Sequence, residues 1–213
     1  MALFSFIKIL AKVNKLNHIM DFRKDPGLLE RMPNYTVNMG FGLHYGWAIE
    51  GAIGSMFKID ASYLSPNVNM SSRLEAATRQ YGVPILVSGL IYDIFTDDIK
   101  KICREVDTVT VKGSIMPIKL FTIDVDFDNM PQRKDRFENV NAKEKKKTRD
   151  REKKQLLNKI FDSQRKSTWD LFSRDRDFKD LRRNYDKVFS KKFGEAYKKY
   201  IAGDWATAED LFS

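Results

Sequence analysis

The chain has 213 residues, a formal net charge of +9, and 42% hydrophobic with 12% aromatic side chains. That composition supplies enough apolar surface for one sizeable core plus an appendage and excludes a disordered polymer. A single cysteine, Cys103, excludes an intrachain disulfide framework and fits a reducing compartment; with only His18 and His44 beside it, a Cys/His metal cluster is not expected.

Residues 2–21 predict an amphipathic helix. Leu3, Phe6, Leu10, Val13 and Leu16 recur at spacings of three and four, with Lys8, Lys12 and Lys15 largely on the opposite, solvated side. Asp25-Pro-Gly27 and Pro33-Asn34 mark loops. From Tyr35 the pattern turns to period two: Val37, Met39, Phe41 and Leu43 alternate with small or polar residues, which predicts a strand over 35–45 with one buried face. Gly40, Gly42, Gly46, Gly51 and Gly54 punctuate this strand and a second extended stretch over 47–53, a density that signals bulges or close backbone approach.

Ser65 is placed to cap a helix that begins at Pro66, runs to about Gln80 and stops at Gly82. Pro84-Ile-Leu-Val-Ser88 reads as a short buried strand, 91–104 as a helix, and 106–111 with 118–125 as a hairpin around an irregular turn. Strands and helices alternating into a hairpin indicate an α+β or α/β sandwich. After Pro131 the texture is long, charged and helical, ending in a helix–turn–helix with Gly203 as C-cap and Asp204 as the next N-cap. The expected organisation is a domain over 1–130, a basic helical linker over 131–160 and a helical extension over 161–213.

The positive charge concentrates in Arg133-Lys-Asp-Arg136, Lys143-Glu-Lys-Lys-Lys147 and Arg149-Asp-Arg-Glu-Lys-Lys154, with acids interleaved. That is the pattern of a solvated helix or charged linker, and it ranks nucleic-acid or anionic-membrane binding lower. No apolar run approaches a membrane span, and the opening residues lack the basic leader and cleavage site of a signal peptide. The chain reads as cytoplasmic.

Ser65-Pro-Asn-Val-Asn-Met-Ser-Ser-Arg73 carries the chemistry. Asn69 and Arg73, at i and i+4, stand one turn apart on one helix face. A planar fork of donors beside a neutral amide suits a polyanion whose charge shifts during reaction, as in phosphoryl transfer. Taken alone, such a pair occurs by chance in many proteins, and a solvated helix accounts for it.

The blocks around the pair change that balance. Gly42-Leu-His-Tyr-Gly46, Glu50-Gly-Ala-Ile-Gly54, the Ser65 to Arg73 block and Val109-Thr-Val-Lys-Gly113 stand in the order and at about the spacings of one family. From Gly42 to Asp126 the sequence resembles the C-terminal half of a class III adenylyl/guanylyl cyclase catalytic domain. The resemblance implies an α+β fold: an incomplete class III cyclase sandwich, derived from a ferredoxin-like one, followed by a mostly helical tail. It implies that Asn69 orients the ribose and the attacking 3′-hydroxyl, that Arg73 stabilises charge developing on the α-phosphate, and that Lys112 contacts the terminal phosphates. Read without the family, Lys112 is as readily a hairpin-turn lysine. Where many adenylyl cyclases place a base-reading aspartate, this chain has Ser62, a hydroxyl able to recognise adenine and to tolerate guanine; the substrate is ATP or GTP, with a lean toward ATP. Asp60 lies close enough for a small register shift to exchange the two.

The resemblance also implies what lies elsewhere. Family domains begin with a strand and a hairpin that bear two metal-binding aspartates, whereas this sequence begins at the helix after that hairpin. Asp97-Asp98 reads as a surface or capping pair, and Asp124 and Asp126 end a strand. The expected cofactor, Mg²⁺ or Mn²⁺, would therefore be bound by residues outside this chain, and the chain alone is expected to be inactive. The strand over 35–45 should present an unpaired edge, near residues 35–54, to a complementary cyclase half or a larger subunit, and through such partners the chain would join a membrane-bound or cytoskeletal assembly. Two functions follow: a split cyclase that makes a 3′,5′-cyclic nucleotide with its partner, or a non-catalytic cyclase-like scaffold of a larger assembly.

Overall fold

The computed structural model describes residues 1–110, 116–127, 130–131, 141–165 and 168–213. In chain order its elements begin with helices α1 (Ala2–Val13), α2 (Asn17–Met20) and α3 (Pro26–Arg31), then strands β1 (Phe41–Leu43), β2 (Ile49–Gly54) and β3 (Ile59–Leu64). Helix α4 (Pro66–Gln80), strand β4 (Ile85–Ser88), helices α5 (Gly89–Asp93) and α6 (Asp97–Lys100), and strands β5 (Arg104–Val109) and β6 (Ile118–Thr122) follow. Helices α7 (Ala142–Arg165), α8 (Thr168–Arg174), α9 (Arg176–Leu181), α10 (Lys187–Ile201) and α11 (Trp205–Phe212) complete the chain, a mixed α+β protein with a helical C-terminal part. Contacts divide it into two compact units interleaved in sequence, 1–39 with 125–185 and 40–124 with 186–213, a division different from the boundaries that composition suggests. Among the described residues, no helix is long and apolar enough to cross a membrane.

In the first unit α1 buries Leu3, Phe4, Ile7, Leu10 and Ala11. Phe4 meets Phe172 edge-on at 5.1 Å between ring centroids, and Phe172 meets Phe178 in the same way at 5.3 Å. The helix expected over 2–21 is broken. It ends at Asn14, whose Nδ2 donates to the Leu10 carbonyl at 3.0 Å, and the chain resumes as α2. Lys15, directly after the break, is buried rather than solvated: its ammonium lies 2.6 Å from Asp177 and 2.8 Å from Asp180. Lys8 adds pairs to Asp175, at 2.8 Å, and to Asp177. Two lysines of the N-terminal helix region are thus held by three aspartates on or beside α9. Burial alone would raise the Asp177 carboxyl, but hydrogen bonds from Lys15 and Lys8 outweigh it and lower that group to about 2.

In the second unit a four-stranded sheet runs in the order β1-β4-β6-β5, with β1 parallel to β4 and the other neighbours antiparallel. β4 is buried along its whole length. Leu74, Leu86 and Leu120 form the core between α4 and the sheet, and Ala77, Tyr81, Val83, Val106, Val109 and Ile118 pack around them. On the other face Tyr92 of α5 stacks on Phe121 of β6, with centroids 3.8 Å apart.

Two further expectations differ from the structure. The strand over 35–45 shrinks to β1, because its partner β4 spans only Ile85–Ser88 and Pro84, which accepts from Phe41 N through its carbonyl, has no N–H to extend the ladder. The helix over 91–104 divides into α5 and α6 at a new N-cap, Thr96, and Arg104 belongs instead to β5. Its guanidinium forms a bidentate pair with Asp124, at 2.6 to 3.1 Å, and lies 4.3 Å from the centroid of Phe193 on α10. That contact, together with the 3.0 Å hydrogen bond between the Tyr197 and Thr108 hydroxyls, seats α10 on β5. Gly203, at φ +81°, makes the turn from α10 into α11.

Candidate active site

The candidate site is built on α4, and its start and stop are set locally. Ser65 caps the helix by accepting from Asn67 N at 3.0 Å, Pro66 occupies the first turn, and Gly82 at φ +63° ends it. At the C-terminal end the Tyr81 hydroxyl donates to Asp107 at 2.7 Å, tying the helix to the irregular register of β5. Burial first, and that bond second, push the Tyr81 hydroxyl above its ordinary value.

The glycines of the first strand segment explain how close α4 lies. A Cβ on Gly42 would stand 2.4 Å from Ser71 O and Glu75 N, one on Gly40 2.2 Å from Thr78 Oγ1, and one on Gly46 2.2 Å from the Asn67 carboxamide. Positions 40, 42, 44 and 46 share one face of an extended segment, and 67, 71, 74, 75 and 78 share one stripe of a helix. The two rows meet. Asn69 and Arg73 fall roughly on the opposite side of α4 and are exposed, one turn apart on a common face.

Ser62 is half-buried on β3, opposite Gly51 of β2, where a Cβ would meet nothing within 4 Å. Its hydroxyl therefore has open room beside it, flanked on the same face by Asp60 and Leu64, with Asp60 3.0 Å from Lys58. Only Ser65 separates the end of β3 from the start of α4, so Ser62 and Asn69 sit on consecutive elements. Lys112 lies outside the described residues. So does the first part of the basic stretch after Pro131, 132–140; its later part forms α7. The β2–β3 hairpin is a separate two-stranded sheet that exposes Ile49, Ile53, Ile59, Tyr63 and Leu64. β1 stands at one end of the four-stranded order, paired among the described residues with β4 alone.

One set of residues at the site escaped the reading of the sequence. His44, just past β1, joins Ser88 Oγ at 2.9 Å through Nδ1 and Asn67 Oδ1 at 3.1 Å through Nε2. Asn67 Nδ2 donates in turn to the Trp47 carbonyl at 2.9 Å and to Ser65 Oγ at 3.1 Å. The available signal was period two: His44 shares its strand face with the glycines that admit α4. Among the described residues no group of three or more His, Cys, Asp or Glu side chains is placed to hold a metal ion.

No family model matches the chain. It is 30% identical over 88 residues to an adenylate cyclase of Anabaena cylindrica, a match covering 41% of this chain and 18% of that protein. It is 29% identical over 83 residues to adenylate cyclase 1 of Rhizobium meliloti (strain 1021), covering 39% of this chain and 12% of that protein. Among solved structures, the adenylyl cyclase CyaB from P. aeruginosa matches at 25% identity over 49% of this chain and 54% of that one, with a TM-score of 0.33. The chain thus spans less than a fifth of the length of these curated relatives, and its similarity to adenylate cyclases is that of a partial cyclase domain.

Proposed function

We propose that this chain supplies the transition-state half of a class III cyclase site, with the Ser62 hydroxyl reading the base of ATP, the favoured substrate, or of GTP. In the reaction the 3′-hydroxyl gives up its proton to solvent as its oxygen bonds to the α-phosphorus, the bond from that phosphorus to the oxygen bridging to the β-phosphate breaks, and pyrophosphate leaves. Asn69 would hold the ribose so that the 3′-oxygen is in line, and Arg73 would take up charge building on the α-phosphate oxygens. Lys112 would hold the terminal phosphates. The observation that carries this reading is the pose of α4: its packed stripe faces the sheet, while Asn69 and Arg73 stand together on the exposed side.

Mg²⁺ or Mn²⁺ would be bound by carboxylates from outside this chain. The apolar side chains that the β2–β3 hairpin exposes on both its faces and the end position of β1 favour a protein partner that brings those carboxylates. The same two features support the second reading, a cyclase-like scaffold subunit without catalysis of its own.

Mixing separates the two. The full chain is combined with a cyclase catalytic domain that keeps its metal aspartates but lacks its own Asn/Arg pair, and cyclic nucleotide is measured from ATP and from GTP with Mg²⁺ and Mn²⁺. Product is expected only in the mixture, with a loss of about 100-fold or more on Asn69→Ala or Arg73→Ala. Product that survives both substitutions defeats the assignment, and a stable complex that forms no product establishes the scaffold.

A further inference from the structure

We propose that His44 is a positioning residue for α4: acting through Asn67, it fixes the first turn of that helix and hence the direction in which Asn69 and Arg73 leave it. For a neutral imidazole the hydrogen bonds admit one tautomer. Asn67 donates twice through Nδ2, to the Trp47 carbonyl and to Ser65 Oγ, which leaves Oδ1 as the acceptor facing His44. His44 Nε2 therefore carries the proton. A neutral imidazole protonated there presents Nδ1 as an acceptor, and the hydroxyl of Ser88, a fully buried residue, donates to it. Ser65 Oγ closes the chain by donating to the Trp47 carbonyl at 2.6 Å while it accepts from Asn67 N.

The cap made by Ser65 starts a helix but does not place it sideways; Asn67 does that. Its carboxamide bridges the helix to the segment after β1 at two points, Trp47 and His44, and it occupies space that exists only because residue 46 has no side chain. Both ring nitrogens of His44 are engaged by protein atoms, so the ring has a holding role and no proton to pass to a substrate. Its Ser88 partner ends the wholly buried strand β4, which makes the far end of this linkage rigid. The consequence for catalysis rests on the function proposed above; the placement of the helix does not.

The test uses the full chain with His44→Phe and Asn67→Ala, singly and together. In the parent, ¹⁵N spectra of the imidazole should show Nε2 protonated and Nδ1 bare. Each single variant should speed amide hydrogen exchange of Asn67, Val68 and Asn69 by about ten-fold, with Leu74 to Thr78 changed by less than about two-fold. The double variant should exchange no faster than the faster single one, because His44 acts on the helix through Asn67. In the mixed cyclase assay the variants should lower kcat by about ten-fold and leave KM for the nucleotide within about two-fold. Unchanged exchange at residues 67–69, additive effects in the double variant, or an Nδ1-protonated ring overturns the proposal. If His44→Phe does not fold, Asn67→Ala alone decides by the same exchange measurement. Accelerated exchange in a chain whose parent shows no cyclase activity would confirm the positioning and refute the catalytic reading.

Discussion

Replacing Gly42 by alanine drives a methyl group into the backbone of α4. The new carbon would stand 2.4 Å from both Ser71 O and Glu75 N and 2.8 Å from Leu74 Cβ. Ordinary non-bonded separations are about 3.5 Å or more, so the helix has to retreat by about 1 Å. Overpacking costs about 1–3 kcal/mol when flexible side chains absorb it; with main-chain atoms as the obstacle, we expect about 3 kcal/mol. For a unit of this size that is a fall of about 10 °C in Tm, measured by circular dichroism or calorimetry. A displacement of that order at Asn69 and Arg73 should also cost about 100-fold in the mixed cyclase assay. Gly51→Ala is the control: nothing lies within 4 Å of its Cβ, so it should leave Tm unchanged or raise stability by about 0.5 kcal/mol through the unfolded chain. A Gly42→Ala protein that melts within about 2 °C of the parent would refute the close seat of α4.

Two further predictions concern the ion pairs. Burial disfavours the charged Asp177, yet Lys15 and Lys8 hold its folded pKa at about 2, below the ordinary 3.8. A depressed carboxylate contributes stability that is complete above the unfolded value and fades as pH falls through the folded one. Asp177→Asn should therefore cost about 2 kcal/mol at neutral pH and flatten the loss of stability between about pH 4 and pH 2 in urea titrations; an unchanged acid limb would count against the pairing. Arg104→Met removes the bidentate partner of Asp124 and the cation over Phe193, and should destabilise by about 2 kcal/mol, with a coupling of about 1 kcal/mol to Asp124→Asn. Strict additivity of those two substitutions would show that the pair contributes nothing.

What was legible in the sequence was local. Ser65, Pro66 and Gly82 mark both ends of α4 by their own backbone chemistry, Gly203 marks the last turn, and the apolar run after Pro84 is the buried β4. Lys15 reads as solvated because its spacing puts it among solvated lysines, while its partners Asp177 and Asp180 lie 162 and 165 residues away. The strand over 35–45 reads longer than β1 because alternation reports a side-chain pattern and not the length of the neighbour that must pair with it. Arg104 reads as the end of a helix until Asp124 is known to be opposite. At the site, Asn69 and Arg73 stood out as a spaced pair on one helix. The His44 linkage joins residues 23 and 44 positions apart on three different segments, which no periodicity displays.

The interleaving of the two units has a consequence for how the protein is made. Residues 40–124 leave the ribosome well before residues 186–213, yet both belong to one unit, and the Tyr197–Thr108 bond spans 89 positions. Through the synthesis of the intervening segment, β5 waits without α10, and Arg104 waits without the rings of Phe189 and Phe193. Such long-range closure is slow and leaves sheet surface uncovered in the nascent chain. Ribosome-stalled lengths ending before residue 186 should be the ones that chaperones retain and proteases cut, and completion of the last two helices should release them.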